Sequence, residues 1–164
     1  MGGEGPQAGP ADGSAFRPAS GDTVLVVDDE PEVRSWVDRV LDRAGIPRVV
    51  VASGKEALRL VLDGHVRPAV LLTDIEMPGM TGIELAARLS AARPGLRVVM
   101  MTGDPDRAAA ARERTSIVAT VLLKPIQLAD LLAAVNPAGG APGPASPGGT
   151  TSDPQPSGPG RGSP

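Results

Sequence analysis

The chain reads as an α/β protein, a doubly wound parallel sheet of five strands with helices on both faces. Three observations predict this. Five short apolar runs alternate strictly with five helical segments, the order that βαβ units impose. The runs are apolar throughout rather than at every second residue, which suits strands covered on both faces. Four of them end on a reactive polar group, and the carboxyl ends of parallel strands share the sheet edge at which ligands bind.

The first strand, Thr23-Val24-Leu25-Val26-Val27, runs into Asp28-Asp29. Val33, Trp36, Val37, Val40, Leu41 and Ala44 then form the i, i+3, i+4, i+7 stripe of an amphipathic helix. Pro31 near its start and Gly45 past its end obey the usual asymmetry of helix termini. Arg48 to Ala52 forms the second strand. Ser53 caps a helix through about Leu62, with Glu56 placed to complete a capping box. The third strand, Ala69-Val70-Leu71-Leu72-Thr73, runs into Asp74, and a helix follows over about Gly82 to Ala92. Arg97-Val98-Val99-Met100-Met101 runs into Thr102. The next helix, about Asp104 to Arg114, opens on an aspartate cap and Pro105. The last strand, Val118 to Leu123, runs into Lys124-Pro125, and a helix over about Gln127 to Val135 carries Leu128, Leu131, Leu132 and Val135 on one face.

These elements occupy about residues 21–136, room for one domain in a chain of 164 residues. Residues 1–20 have no apolar period, and in residues 137–164 Pro, Gly and Ser fill 20 of the 28 positions. Such segments bury too little apolar surface to offset their ordering entropy, so both are expected as disordered tails. The 41% hydrophobic content supplies a core almost without aromatics, Phe16 and Trp36 being the only ones. With no cysteine, thiolate metal sites and disulfides are excluded. A net charge of −3 argues against a nucleic-acid partner. No run is long enough to span a membrane and no secretory leader is evident, so a cytoplasmic protein is expected.

Each strand-end group alone has an ordinary explanation. Asp28-Asp29 can cap the next helix, Asp74 can serve a turn, Thr102 can approach a cap, and Lys124 can sit in solvent. Together, at the C-termini of successive strands, three carboxylates, a hydroxyl and an ammonium converge on one spot. That set suits a divalent cation and a phosphoryl group.

The segments Val27-Asp28-Asp29-Glu30, Asp74-Ile75-Glu76-Met77-Pro78-Gly79-Met80-Thr81-Gly82, Met101-Thr102-Gly103 and Leu123-Lys124-Pro125 closely resemble the receiver domain of two-component response regulators. The resemblance covers about residues 21–136 and implies a flavodoxin-like strand order of 2-1-3-4-5. It implies that Asp74 is the nucleophile that becomes an aspartyl phosphate. It further implies Mg²⁺ bound directly by Asp29, Asp74 and the Glu76 carbonyl, and through water by Asp28. Lys124 would pair with the phosphoryl oxygens and the Asp74 carboxylate, Thr102 would place its hydroxyl on a phosphoryl oxygen, and the Lys124-Pro125 bond would be cis. The phosphoryl donor would be a histidine kinase or a phosphotransfer protein. Output would pass to another protein through the face of the fourth helix, fifth strand and fifth helix, or along a phosphorelay. The chain departs from the family at Val121, where an aromatic residue is usual, and Glu76 sets a carboxylate beside the phosphoryl site. No DNA-binding or enzymatic domain is expected after Val135, so the protein is expected to be a stand-alone phosphoacceptor rather than an enzyme.

Other motifs fall away. Ser53-Gly54-Lys55 lacks the upstream glycine of a phosphate loop, and Glu56 follows where Ser or Thr is needed. His65, the only histidine, is expected in a solvated loop. Trp36 is expected in the core. An Asp-nucleophile phosphohydrolase needs Asp-x-Asp after the first strand, which Val26-Val27-Asp28-Asp29 does not provide. A receiver-like scaffold that is never phosphorylated fits poorly with the intact set Asp28, Asp29, Asp74, Thr102 and Lys124.

Overall fold

The computed structural model describes residues 23–136 of the chain; the two expected tails lie outside them. Ten elements alternate in the expected order: β1 (Thr23–Val27), α1 (Pro31–Arg43), β2 (Arg48–Val51), α2 (Gly54–Leu62), β3 (Pro68–Asp74), α3 (Gly82–Ala92), β4 (Arg97–Thr102), α4 (Pro105–Arg114), β5 (Val118–Leu123) and α5 (Leu128–Val135). All strand pairs are parallel and the order is β2-β1-β3-β4-β5. β3 reaches one residue past its expected end, so Asp74 belongs to the strand and pairs in register with Met101 of β4. β2 ends one residue early, at Val51.

The uninterrupted apolar character of the strands is explained by two cores. On one face Leu25, Val27, Leu71, Val98 and Met100 pack with Ala57 and Val61 of α2, Leu85 and Leu89 of α3, and Ala108 and Ala111 of α4. On the other, Val24, Val26, Val70, Leu72, Val99 and Met101 pack with Val37 and Leu41 of α1 and Leu131 and Val135 of α5. The buried residues of α4 are Ala108 and Ala111, whose methyl groups anchor less apolar area than the Leu and Val of its neighbours, and Arg112 adds a hydrogen bond to the Val121 carbonyl of β5 at 3.0 Å. Trp36, expected in the core, is only partly buried against this second cluster. His65 is exposed, as expected of a loop residue.

Helix ends follow local chemistry. Gly45, just past α1, takes φ +68, a left-handed turn that a side chain would strain. Asp104 caps α4, accepting from the amides of Asp106 and Arg107. Ser53 accepts from the Glu56 amide, but Glu56 points to solvent and the reciprocal bond of the expected capping box is not made. The complete box forms instead on α3. The Thr81 amide donates to Glu84 at 2.9 Å, and the Glu84 amide donates to the Thr81 hydroxyl at 3.2 Å. Thr81→Ala is therefore expected to cost about 1 kcal/mol and Ser53→Ala about half as much. Urea unfolding of the two variants checks this, and an equal or reversed ranking would count against it.

Candidate functional site

The C-terminal ends of β1, β3, β4 and β5 bring their polar groups to one edge of the sheet. After β1, the Asp28 carboxylate turns back to accept from the Glu30 amide at 2.9 Å, which folds the chain into α1. Asp74 closes β3. The loop behind it is pinned on both sides: the Ile75 amide donates to Met101 at 3.0 Å, and the Gly82 amide donates to Ile75 at 2.9 Å. Thr102 closes β4, and its hydroxyl accepts from the Asp104 amide at 3.0 Å. Lys124 follows β5, its amide donating to the Thr102 carbonyl at 2.8 Å, and the Lys124–Pro125 bond is cis, as expected.

Lys124 is the hub. Its ammonium lies 3.1 Å from Asp28, 3.0 Å from Glu30 and 3.6 Å from Asp74. Asp28, Glu30 and Asp74 each offer a carboxylate oxygen within 4.8 Å of the others. Asp28 and Asp74 are buried, as is Thr102, while Glu30 stands at the solvent rim. Beside this cluster a groove of about 330 Å³ is lined by Glu32, Val33, Trp36, Lys124, Pro125 and Ile126.

Two of the acidic residues after β1 stand differently towards this group. Asp29, expected to meet a cation directly, is exposed and lies outside the group of facing carboxylates. Glu30 joins that group, its carboxylate reaching the Lys124 ammonium at 3.0 Å from the solvent rim. Its only sequence signal was its place in the run Asp28-Asp29-Glu30. Glu76 is exposed, and its carboxylate meets Arg107 of α4 at 3.0 Å; the same guanidinium lies 3.3 Å from Asp104.

The electrostatics are those of an acidic pocket short of positive charge. Burial pushes the Asp74 carboxyl up to about 6; Lys124 pulls it down and Asp28 adds to the rise. Burial likewise raises Asp28, against the Glu30 amide and Lys124. Burial works against the Lys124 ammonium, but its bonds to Glu30 and Asp28 prevail and hold it above the usual lysine value. One ammonium thus serves three carboxylates. Oxygen donors only, two of them buried with charge to spare, fit a hard cation such as Mg²⁺.

Known proteins share this fold. The family model for the response regulator receiver domain matches residues 24–136. The positive alginate biosynthesis regulatory protein of Pseudomonas aeruginosa is 33% identical over 70% of this chain and 46% of its own length. The sporulation initiation phosphotransferase F of Bacillus subtilis is 31% identical over 68% of this chain and 89% of its own. A glutamate methylesterase of Caulobacter vibrioides is 44% identical, over 52% of this chain and only 24% of the methylesterase. The chain thus spans less than half of two of these relatives. Among solved structures, a receiver domain protein from Clostridium thermocellum matches with a TM-score of 0.62 at 27% identity, covering 69% of this chain and 90% of that one. Among the described residues no helix is long and apolar enough to cross a membrane. With the match running through every strand that carries a site residue, the chain belongs to the response regulator receiver domain family.

Proposed function

We propose that this protein is a phosphoacceptor of two-component signalling, with Asp74 as the nucleophile and a histidine kinase or phosphotransfer protein as the donor. The observation that carries the reading is the Lys124 ammonium set between Asp28 and Asp74 at the buried ends of β1 and β3. An Asp74 oxygen attacks the phosphorus of a phosphohistidine. The new O–P bond forms as the P–N bond breaks, and the imidazole leaves with the electron pair of that bond. Lys124, already 3.6 Å from Asp74, is placed to offset charge on the transferred oxygens. Thr102, whose hydroxyl now accepts from Asp104, would turn to donate to a phosphoryl oxygen. Mg²⁺ would be held by Asp29, Asp74 and the Glu76 carbonyl directly and by Asp28 through water, supplying the positive charge that the pocket lacks. Glu30, already engaged with Lys124, adds negative charge to the cation's surroundings.

Phosphorylation then serves signalling rather than turnover of a substrate. The output face is proposed as α4, β5 and α5, where Leu123 and Leu128 are exposed and α4 buries only Ala108 and Ala111 against the sheet, with one hydrogen bond from Arg112 to Val121. A relay role is supported by the likeness to the sporulation phosphotransferase. Residues 21–136 include every side chain that this reading uses.

The test is a mass measurement after incubation with acetyl phosphate and Mg²⁺. One added phosphoryl group is expected, and none with excess EDTA or in Asp74→Asn. Full labelling of the Asp74→Asn protein would overturn the assignment.

A further inference from the structure

We infer that Arg34 is a positioning residue for the cation site, acting through the backbone of the Asp28-Asp29 turn. This rests on the reading of that site proposed above. Arg34 lies in the second turn of α1, and its Nη1 donates to two consecutive carbonyls, that of Asp28 at 2.7 Å and that of Asp29 at 2.9 Å. Both bonds are short and carry the guanidinium charge, the stronger class of hydrogen bond. One nitrogen thereby fixes the two peptide planes that follow the two expected acidic ligands.

The turn has need of such a clamp. Glu30, the residue at the N-terminus of α1, makes no side-chain capping bond, so the loop is not tied to the helix in the usual way. Asp28 spends one oxygen on the Glu30 amide and the other on Lys124. Asp29 has no side-chain hydrogen bond or ion pair among the described residues, so its direction is set by its backbone alone. Carboxylates crowded within 4.8 Å repel one another and tend to push this turn open. Arg34 resists that opening from outside the pocket, without contacting a carboxylate in it. A role confined to helix stability would leave cation affinity untouched; a role in placing the acids would not.

The experiment separates the two on the full chain. Mg²⁺ is titrated by calorimetry into wild type, Arg34→Gln and Arg34→Lys, and urea unfolding is followed in EDTA. Groups that orient metal ligands from outside the coordination sphere change affinity by roughly 10- to 100-fold. A loss in that range is expected for Arg34→Gln. Arg34→Lys keeps the charge but has a single nitrogen on a different reach, and should fall between. The Mg²⁺ concentration giving half-maximal labelling by acetyl phosphate should rise in parallel. Arg34→Lys also carries the test should the glutamine variant fold poorly. Unchanged Mg²⁺ affinity in the folded variants, or a loss no larger than their loss of stability in EDTA, overturns the inference. A wild-type protein that binds Mg²⁺ but takes no phosphoryl group overturns the phosphoacceptor reading instead, and Arg34 is then judged on affinity alone.

Discussion

Replacing Gly82 with alanine is expected to destabilise the protein by roughly 3 kcal/mol, the upper range for forcing atoms into a packed site, and to slow labelling of Asp74 sharply. A Cβ at Gly82 would stand 2.0 Å from the carbonyl oxygen of Asp74 and 3.2 Å from the Cα of Ile75. Those neighbours are backbone and cannot swing aside like the tip of a side chain. Gly82 is also the first residue of α3, and its amide donates to Ile75. Relief of the clash must move the helix, the loop, or the strand end that carries the nucleophile. A displacement of about 1 Å at a reacting group is enough to cost on the order of 100-fold in rate. Gly103→Ala is the control, since a Cβ there meets nothing within 4 Å. It should stay within about 0.5 kcal/mol of wild type, as surface changes do. Urea unfolding and labelling kinetics at saturating Mg²⁺ decide the matter. A Gly82→Ala protein with wild-type stability and rate would refute the contact.

Asp74→Asn, expected to abolish labelling, is also expected to make the metal-free protein more stable. The Asp74 carboxyl titrates near 6 in the folded chain against 3.8 as its ordinary value. Below about pH 4 both folded and unfolded chains hold the proton, and the group is neutral to stability. Between the two values the folded state holds more proton than the unfolded one, so stability falls as pH rises. Above about pH 6 the full cost of the buried charge is felt, roughly 2–3 kcal/mol at about 1.4 kcal/mol per pKa unit. Asparagine keeps the shape and removes the charge. In EDTA at pH 7.5 the variant should therefore be about 2 kcal/mol more stable than wild type, and the gap should close towards pH 4. Saturating Mg²⁺ should reverse the order, because a ligand of the folded state stabilises only the chain that binds it. Coincident stability–pH profiles in EDTA would show that Asp74 is not strained by its surroundings.

Much of this was legible in the residues. Unbroken apolar runs such as Val24–Val27 and Val70–Leu72 announced strands buried on both faces, and each proved to divide its side chains between two cores. The polar residue at each strand end marked the edge on which the site assembles. What stayed hidden depends on contacts across the chain. Glu30 joins the cluster through a lysine 94 residues away. Glu56 and Glu84 carry the same capping-box signal and both are exposed, yet only Glu84 folds back onto its cap residue. Gly82 resembles any glycine opening a helix until the helix is seen to press on the Asp74 carbonyl. Arg34 sits at helical spacing from the acidic turn, and its two carbonyl partners become visible only in the fold.

The lysine hub also joins parts of the chain that are far apart in sequence: Lys124 lies 96 residues from Asp28 and 94 from Glu30. Lys124 extends from β5, an outer strand of the sheet, yet its partners sit on the central strands β1 and β3. A ribosome delivers residues in sequence, so Asp28 and Asp74 emerge well before the ammonium that offsets them. A nascent chain ending before β5 holds two acidic strand ends with no counter-charge, and α4 with no outer strand beside it. The strand that closes this edge of the sheet thus also carries the counter-charge of the site, so the sheet edge and the site are completed by the same segment.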